Sequence, residues 1–251
     1  MSKFISKQSV ASWYAMTALL ATFLVGQVIL WFFPDGSSMG TSLLFILMNL
    51  IPLITAAVFS LVLSEVNSLG EFFKKVFLQK ESSLSWILAF FIPVIYYGIS
   101  ILLMNVRFTG NSLLAFFIYF PWTLLYGGLE EVGWRWFLQD HLSYSKHFIP
   151  KMMLLSIVWF LWHIPIYQLP WITAGSSNYL IFYLMILGNA FLFGALKEYS
   201  KGAVPCILAH MLIDSLAVLM LVQSSLPQII LLVIFEILVA SWLVAARKSE
   251  K

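Results

Sequence analysis

Eight long stretches of mostly apolar residues run through this chain of 251 residues and limit what it can fold into. A helix needs about 20 such residues to cross the hydrocarbon core of a membrane. The stretches are continuous and do not alternate with polar residues, which favours helices over membrane strands. We therefore expect an all-α polytopic membrane protein with about eight transmembrane helices, at 11–33, 42–64, 84–104, 112–142, 150–168, 179–196, 203–221 and 226–244.

The composition excludes several other classes of protein. Apolar residues make up 61% of the chain and charged residues only 10%, too few to cover the surface of a water-soluble fold. A cytosolic enzyme, a disordered tail and a nucleic-acid-binding protein are thereby excluded. We find no boundary for a second domain and expect one integral membrane domain over residues 1–251, with membrane lipid as a partner.

The basic residues divide unequally between the two sides of the membrane that eight spans create. Twelve of the 14 fall on the side that holds both termini, Arg107 falls on the other side, and Arg135 lies inside a span. Because basic loops stay in the cytoplasm, we expect both termini to be cytoplasmic. The short loops favour a prokaryotic plasma membrane.

The longest loop on the basic side, 65–83, has apolar residues at helical spacing. It predicts an amphipathic helix that lies in the headgroup region of the membrane. The apolar positions are Leu69, Phe72, Phe73, Val76 and Phe77, with Glu71, Lys74 and Lys75 on the other face.

Charged and histidine residues inside the spans indicate a functional site. A charged side chain at the middle of a bilayer costs about 2.5–3.5 kcal/mol, so function is the first explanation for such residues. At a rise of 1.5 Å per residue, Glu130, His163, His210 and Asp214 lie at overlapping depths on three spans. We expect these four to meet in one cavity that opens to the cytoplasm, bordered by the 142–150 loop and the 65–83 helix. Glu236 stands alone in the last span and is equally compatible with a structural role.

Two pairs of these residues are four positions apart and so share a helix face. Glu131 and Arg135 are expected to form an ion pair that neutralises two costly charges. His210 and Asp214 form the second pair, in which the carboxylate would accept a proton from the imidazole and fix its tautomer.

This set of residues fits hydrolysis of a peptide bond. A carboxylate with a histidine can deprotonate a water molecule for attack on a carbonyl, and a second histidine can stabilise the oxyanion. We expect no cofactor. Zinc stays a less favoured alternative, because glutamate and histidine are zinc ligands but no His-Glu-x-x-His helix is present. A cysteine mechanism through Cys206 is a further alternative, since Cys206 precedes His210 by four residues.

Three short motifs resemble those of the CAAX-protease and bacteriocin-processing membrane proteins, the CPBP or Abi family, which is related to the Ras-converting enzyme. They are Glu130-Glu131-x-x-x-Arg135, Trp159-x-x-x-His163 and His210-x-x-x-Asp214. Trp159 stands where the family has phenylalanine, and Asp214 where the Ras-converting enzymes have asparagine. The resemblance covers approximately residues 112–221, which would form the catalytic core.

The resemblance implies a glutamate-dependent intramembrane endopeptidase that acts on a peptide or a lipidated, for example prenylated, protein. Glu130 and His163 would activate the water, and His210 and Asp214 would form the oxyanion site. Glu131 and Arg135 would shape the site or contact the carboxyl terminus of the substrate. Because family members are associated with bacteriocin immunity, a non-catalytic immunity or adaptor protein that binds a peptide or partner helix stays the alternative.

Overall fold

The computed structural model describes residues 7–34, 36, 38–143, 147–169, 171–172, 178–223 and 225–249. The described chain is almost entirely helical, as expected for an all-α membrane protein. Its α-helices are α1 (Lys7–Phe32), α2 (Met39–Val62), α3 (Leu69–Phe77), α4 (Ser83–Leu102), α5 (Leu113–Thr123), α6 (Gln139–His141), α7 (Phe148–Tyr167), α8 (Tyr179–Tyr199), α9 (Val204–Leu216) and α10 (Leu226–Ser249). Two π-helical segments, Leu124–Gly128 and Val132–Leu138, and two short strands, β1 (Val106–Phe108) and β2 (Met220–Val222), complete it.

Six helices in the described part of the chain are long and apolar enough to cross a membrane: α1, α2, α4, α7, α8 and α10. The segments Leu113–Gly128 and Val132–His141 form a bent pair that counts as a seventh span if the two cross together. Large apolar side chains such as Trp31 and Trp242 are exposed on the outer surfaces of these helices. A polytopic integral membrane protein is therefore confirmed.

The seventh predicted span, 203–221, differs from a regular membrane helix. Helix α9 has only 13 residues, and β2 follows it. The backbone N–H of Ala203 donates to the carbonyl of Val76 at one end, while β2 pairs antiparallel with β1 beyond the far end of α4. Helix α9 packs along α4 between these two contacts. Together, α9 and β2 therefore extend over the same length as the membrane-spanning helix α4.

These contacts define two ends of the molecule. The basic end contains α3, α6 and the start of α9. Here Lys197 at the end of α8 pairs with Asp140 of α6 at 3.1 Å, and His141 of α6 lies 2.8 Å from Glu65 in the loop after α2. The strand end contains β1, β2 and the loops beside them, where Asn111 donates to the carbonyl of Val218.

The predicted helix over 112–142 is broken rather than continuous. Two π-helical segments flank residues 129–131, and the two halves are bent by 45°. The backbone N–H of Leu129 reaches back five residues to the carbonyl of Leu124 at 3.0 Å, as in a π-turn. Such wide turns are frequent at functional sites because they displace side chains from regular helical positions.

The predicted amphipathic helix is present as α3. Its buried residues are Phe72 and Val76, and the Phe72 ring packs edge-on against Trp136 with ring centroids 5.3 Å apart. Leu69 and Phe73 are exposed. Part of the apolar surface of α3 therefore packs against the protein, and the rest is exposed on the outside of the molecule.

Candidate active site

The residues expected to form the site come from three neighbouring elements. Glu130 and Glu131 lie between the two π-helical segments, His163 lies near the end of α7, and His210 and Asp214 lie on α9. Helix α9 packs against the first π-helical segment, which brings its histidine to the two glutamates. The break in the helix thus places both carboxylates at the surface that α9 presents.

Glu131 is the centre of a fully buried charge network. Its Oε2 accepts a hydrogen bond of 2.7 Å from Arg135 Nε, and its Oε1 lies 2.9 Å from His210 Nδ1. Arg135 also donates to the carbonyl of Ala190 and lies over the ring of Trp159 at 4.8 Å. The predicted Glu131–Arg135 ion pair is therefore present. Its burial favours the first of its two expected roles, shaping the site, over contact with substrate.

The orienting partner of His210 is Glu131 rather than the predicted Asp214. A carboxylate only accepts hydrogen bonds when ionised, so the 2.9 Å contact places a hydrogen on His210 Nδ1. Asp214 Oδ2 lies 3.5 Å from the other ring nitrogen, Nε2. Spacing by four residues along α9 correctly placed the two side chains together, but the shorter contact comes from a different helix.

Glu130 lies in a different environment from its neighbour. Its Oε2 accepts hydrogen bonds from the indole N–H groups of Trp134 at 3.0 Å and Trp159 at 3.3 Å. Its Oε1 lies 3.5 Å from His210 Nε2, and the residue is 2% exposed. The two indoles were not predicted as partners of Glu130. Trp134 carried a signal for this, since it follows Glu130 by four residues and so shares its helix face.

His163 is held by its own helix and by aromatic rings. Its Nδ1 donates to the carbonyl of Trp159 at 2.8 Å, because a carbonyl can only accept. In the neutral ring this leaves Nε2 as an acceptor. Tyr167 stacks on the imidazole and Phe182 meets it edge-on. His163 is thus connected to Glu130 through Trp159, whose indole binds the carboxylate and whose carbonyl binds the imidazole.

Gly127 lets two side chains of α9 approach the backbone of the first π-helical segment closely. A methyl group on its Cα would collide with Asp214 Oδ2 and lie 3.1 Å from His210 Nε2. Gly127 is buried in the first π-helical segment. Only glycine fits here without moving α9, because the Asp214 carboxylate and the His210 ring occupy the volume that a side chain would need.

A cavity of about 710 Å³ reaches the site from the strand end. His163, His210 and Asp214 line it in the interior, and its rim includes Arg107 on β1 and Gln223 after β2. The Asp214 side chain is 34% exposed in it. The predicted opening beside the 142–150 loop and the 65–83 helix is wrong, because none of the described residues in those ranges lines the cavity.

Buried side chains close the cavity on the side of the basic end. They continue along the chain from Glu130 toward α6, and we call them the floor. The floor consists of Trp134, Arg135, Phe137, Leu138 and Gln139, all buried. The amide of Gln139 donates to the carbonyl of Gly194, which ties the floor to α8.

Three of the site residues are close enough to hold a metal ion. Ligand atoms of Glu130, Glu131 and His210 all lie within 4.8 Å of one another. His163 is not part of this group. The donor types suit zinc, but Glu131 already binds Arg135 and His210, so a metal there would have to displace existing contacts.

Cys206 does not contribute a group to the cavity. It is fully buried, and its Sγ lies 3.8 Å from the carbonyl of Phe193. A buried thiol of this kind behaves as a small packing residue.

Residues 110–216 match the family described as Type II CAAX prenyl endopeptidase, Rce1-like. This part of the chain is similar to the Rce1-like family. The matched segment contains Glu130, Glu131, Arg135, His163, His210 and Asp214, and the resemblance inferred from the three motifs is confirmed. No curated protein matches the chain. The Rce1-like segment therefore coincides with the elements that form the polar site.

Proposed function

We propose that this protein is an intramembrane endopeptidase that uses Glu130 and His163 to activate a water molecule. The observation that carries the proposal is the position of Glu130, a carboxylate 2% exposed and held by two indole N–H groups, beside His210 in an Rce1-like segment. Because burying a carboxylate inside a membrane protein is costly, function is the first explanation for it.

In the proposed reaction, Glu130 takes a proton from water while the water oxygen attacks the carbonyl carbon of the substrate. His163 Nε2 accepts a second hydrogen bond from that water, since its Nδ1 hydrogen is bound to Trp159. The proton on Glu130 then passes to the amide nitrogen as the carbon–nitrogen bond breaks. The tetrahedral intermediate would form in the cavity, beside His163 and His210.

We assign the oxyanion site to His210 rather than to Asp214. An ionised aspartate has no hydrogen to donate, whereas His210 Nε2–H can donate when the ring carries both protons. Carboxylates at both ring nitrogens, Glu131 at 2.9 Å and Glu130 at 3.5 Å, stabilise that charged ring. Asp214 would add to this stabilisation from the cavity side.

The proposed reaction needs no metal. Its substrate is a membrane-associated peptide or protein segment, with membrane lipid as the surrounding partner. We further propose a prokaryotic plasma membrane and cytoplasmic termini, on the basis of the basic residues at one end of the molecule.

The test compares wild-type protein with Glu130→Gln in liposomes, using quenched peptides with unmodified and prenylated sequences. Glutamine keeps the shape of the side chain but cannot take a proton, so we expect cleavage to be lost. Glu198→Gln, at the basic end of α8, is the matched control and should cleave normally. The proposal is falsified if Glu130→Gln, correctly inserted, cleaves as well as wild type.

The alternative is an immunity or adaptor protein that binds a peptide without cleaving it. Asp214, where the Ras-converting enzymes have asparagine, is the departure that favours this alternative. Binding of the same peptides without turnover by wild-type protein would support it.

A further inference from the structure

The basic residues of the molecule are concentrated at one of its two ends. Among the described residues, the strand end carries a single basic side chain, Arg107. The other basic residues outside the spans lie toward the basic end: Lys74, Lys75, Lys80, Lys151, Lys197, Lys201, Arg247 and Lys248. Contacts such as Arg247 over the Tyr199 ring at 5.0 Å place the end of α10 there too. Because basic segments next to spans are retained in the cytoplasm, the basic end faces the cytoplasm.

The cavity of the site opens at the opposite end. Arg107 and Gln223 on its rim are both exposed, and the paired strands β1 and β2 form part of its wall. The floor closes the path from the basic end, since Trp134 and Phe137 are fully buried. Among the described residues, the lining of this cavity thus places its opening on the side that carries Arg107.

We infer that the substrate reaches the site from the extracytoplasmic face, as a peptide segment that has already been exported across the membrane. This inference rests on the proposed endopeptidase function and specifies its substrate class. A cytoplasmic chain end would meet the basic end and the closed floor instead. Arg107 at the rim favours a substrate whose nearest part is anionic, such as a terminal carboxylate.

The first experiment measures which face of the membrane the cavity opens to, without any need for cleavage. Cys206→Ala removes the only cysteine. On this background, Gln223→Cys places a thiol at the rim of the cavity, and Ser83→Cys places the matched control thiol at the start of α4. Both positions are exposed. A membrane-impermeant maleimide is then applied to intact bacterial cells and to inverted membrane vesicles.

We expect Gln223→Cys to be labelled in intact cells and Ser83→Cys only in inverted vesicles. The reverse pattern, or a rim thiol that reacts from neither face although it reacts after denaturation, would overturn the inference. Labelling of both thiols after denaturation confirms that each variant is expressed.

The second experiment separates this inference from the proposed function. Right-side-out and inverted vesicles that contain wild-type protein receive a membrane-impermeant quenched peptide on the outside. We expect cleavage in right-side-out vesicles and its loss in inverted ones. Cleavage confined to inverted vesicles would refute extracytoplasmic entry but leave the endopeptidase standing. Absence of cleavage in both, and in detergent, would refute the endopeptidase while the labelling result still reports the orientation of the cavity.

Discussion

At the scale of single residues, the two adjacent glutamates have different surroundings. Glu131 binds a cation and a histidine and is fully enclosed, whereas Glu130 binds only neutral indoles within 3.3 Å. The first arrangement satisfies a charge, and the second leaves a carboxylate that can still accept a proton. These surroundings favour a structural role for Glu131 and are compatible with the chemical role that we propose for Glu130.

The close contact between Gly127 and α9 gives the first prediction at this scale. Gly127→Ala would place a methyl group against Asp214 and His210 and so displace the proposed oxyanion donor. We expect kcat/KM to fall about 100-fold, the usual effect of displacing reacting groups by about 1 Å. The matched control is Gly98→Ala on α4, where a methyl group would meet nothing within 4 Å. Equal activity of the two variants in the peptide assay would contradict the proposed role of His210.

Much of the candidate site could be predicted from the sequence, because charged residues inside apolar stretches are recognisable wherever the ends of the helices lie. The convergence of Glu130, His210 and Asp214 followed from depth alone. The donor from Trp134 is signalled by its spacing of four residues from Glu130. The donor from Trp159 is not, since tryptophan is common in membrane helices and nothing in the pattern distinguishes an indole on another helix that binds a carboxylate. The choice of Glu131 over Asp214 as partner of His210 depends on sub-ångström packing between two helices.

At the scale of elements, the contact between α8 and α10 contains a buried acid that the site does not use. Glu236 on α10 is fully buried, and neither carboxylate oxygen has a hydrogen-bond partner among the described residues. Its carboxyl group fills the space over Gly188 of α8, where a methyl group would collide with it. Glu236 therefore packs two helices at the cost of an unsatisfied polar group.

Replacing this acid should stabilise the protein. Glu236→Met keeps the length of the side chain and removes the unpartnered oxygens, so we expect the free energy of unfolding to rise by about 1–3 kcal/mol. Thermal unfolding in detergent measures the change, and Glu236→Gln, which keeps polar atoms in the same space, should gain less. Loss of peptide cleavage in a well-folded Glu236→Met protein would show instead that the acid takes part in the chemistry.

The elements themselves were predictable to different degrees. Long apolar stretches fix the helices because only a helix satisfies its own backbone inside a bilayer. The π-helical break around residues 129–131 could not be predicted, since wide turns depend on packing against α2 and α9. The strand β2 was predicted as helix, because its pairing partner β1 lies more than a hundred residues away in the sequence.

At the scale of the whole molecule, the closed network around Glu131 argues against a metal enzyme. A bound ion would have to compete with Arg135 at 2.7 Å and with His210 at 2.9 Å. We therefore expect cleavage to survive prolonged treatment with a chelator, measured with the same quenched peptides. Activity that disappears on chelation and returns with added zinc would instead assign Glu130, Glu131 and His210 as metal ligands.

The end of the molecule at which the cavity opens is also determined by the packing of the whole molecule. The sequence separates basic from non-basic loops, but it does not tell which set of loops leaves an opening. That depends on how α3 and the second π-helical segment pack together at one end, through contacts such as Phe72 on Trp136.

The floor has an electrical consequence for the cell. In the orientation inferred above, the outside solution would enter the cavity past His163, His210 and Asp214, so little of the membrane voltage would fall along it. Nearly all of the voltage would then fall across the buried layer from Trp134 to Gln139, where it is worth about 2.3 kcal/mol per unit charge for each 100 mV. The layer inferred to block peptides would therefore also insulate the membrane against leakage of ions and protons through the protein.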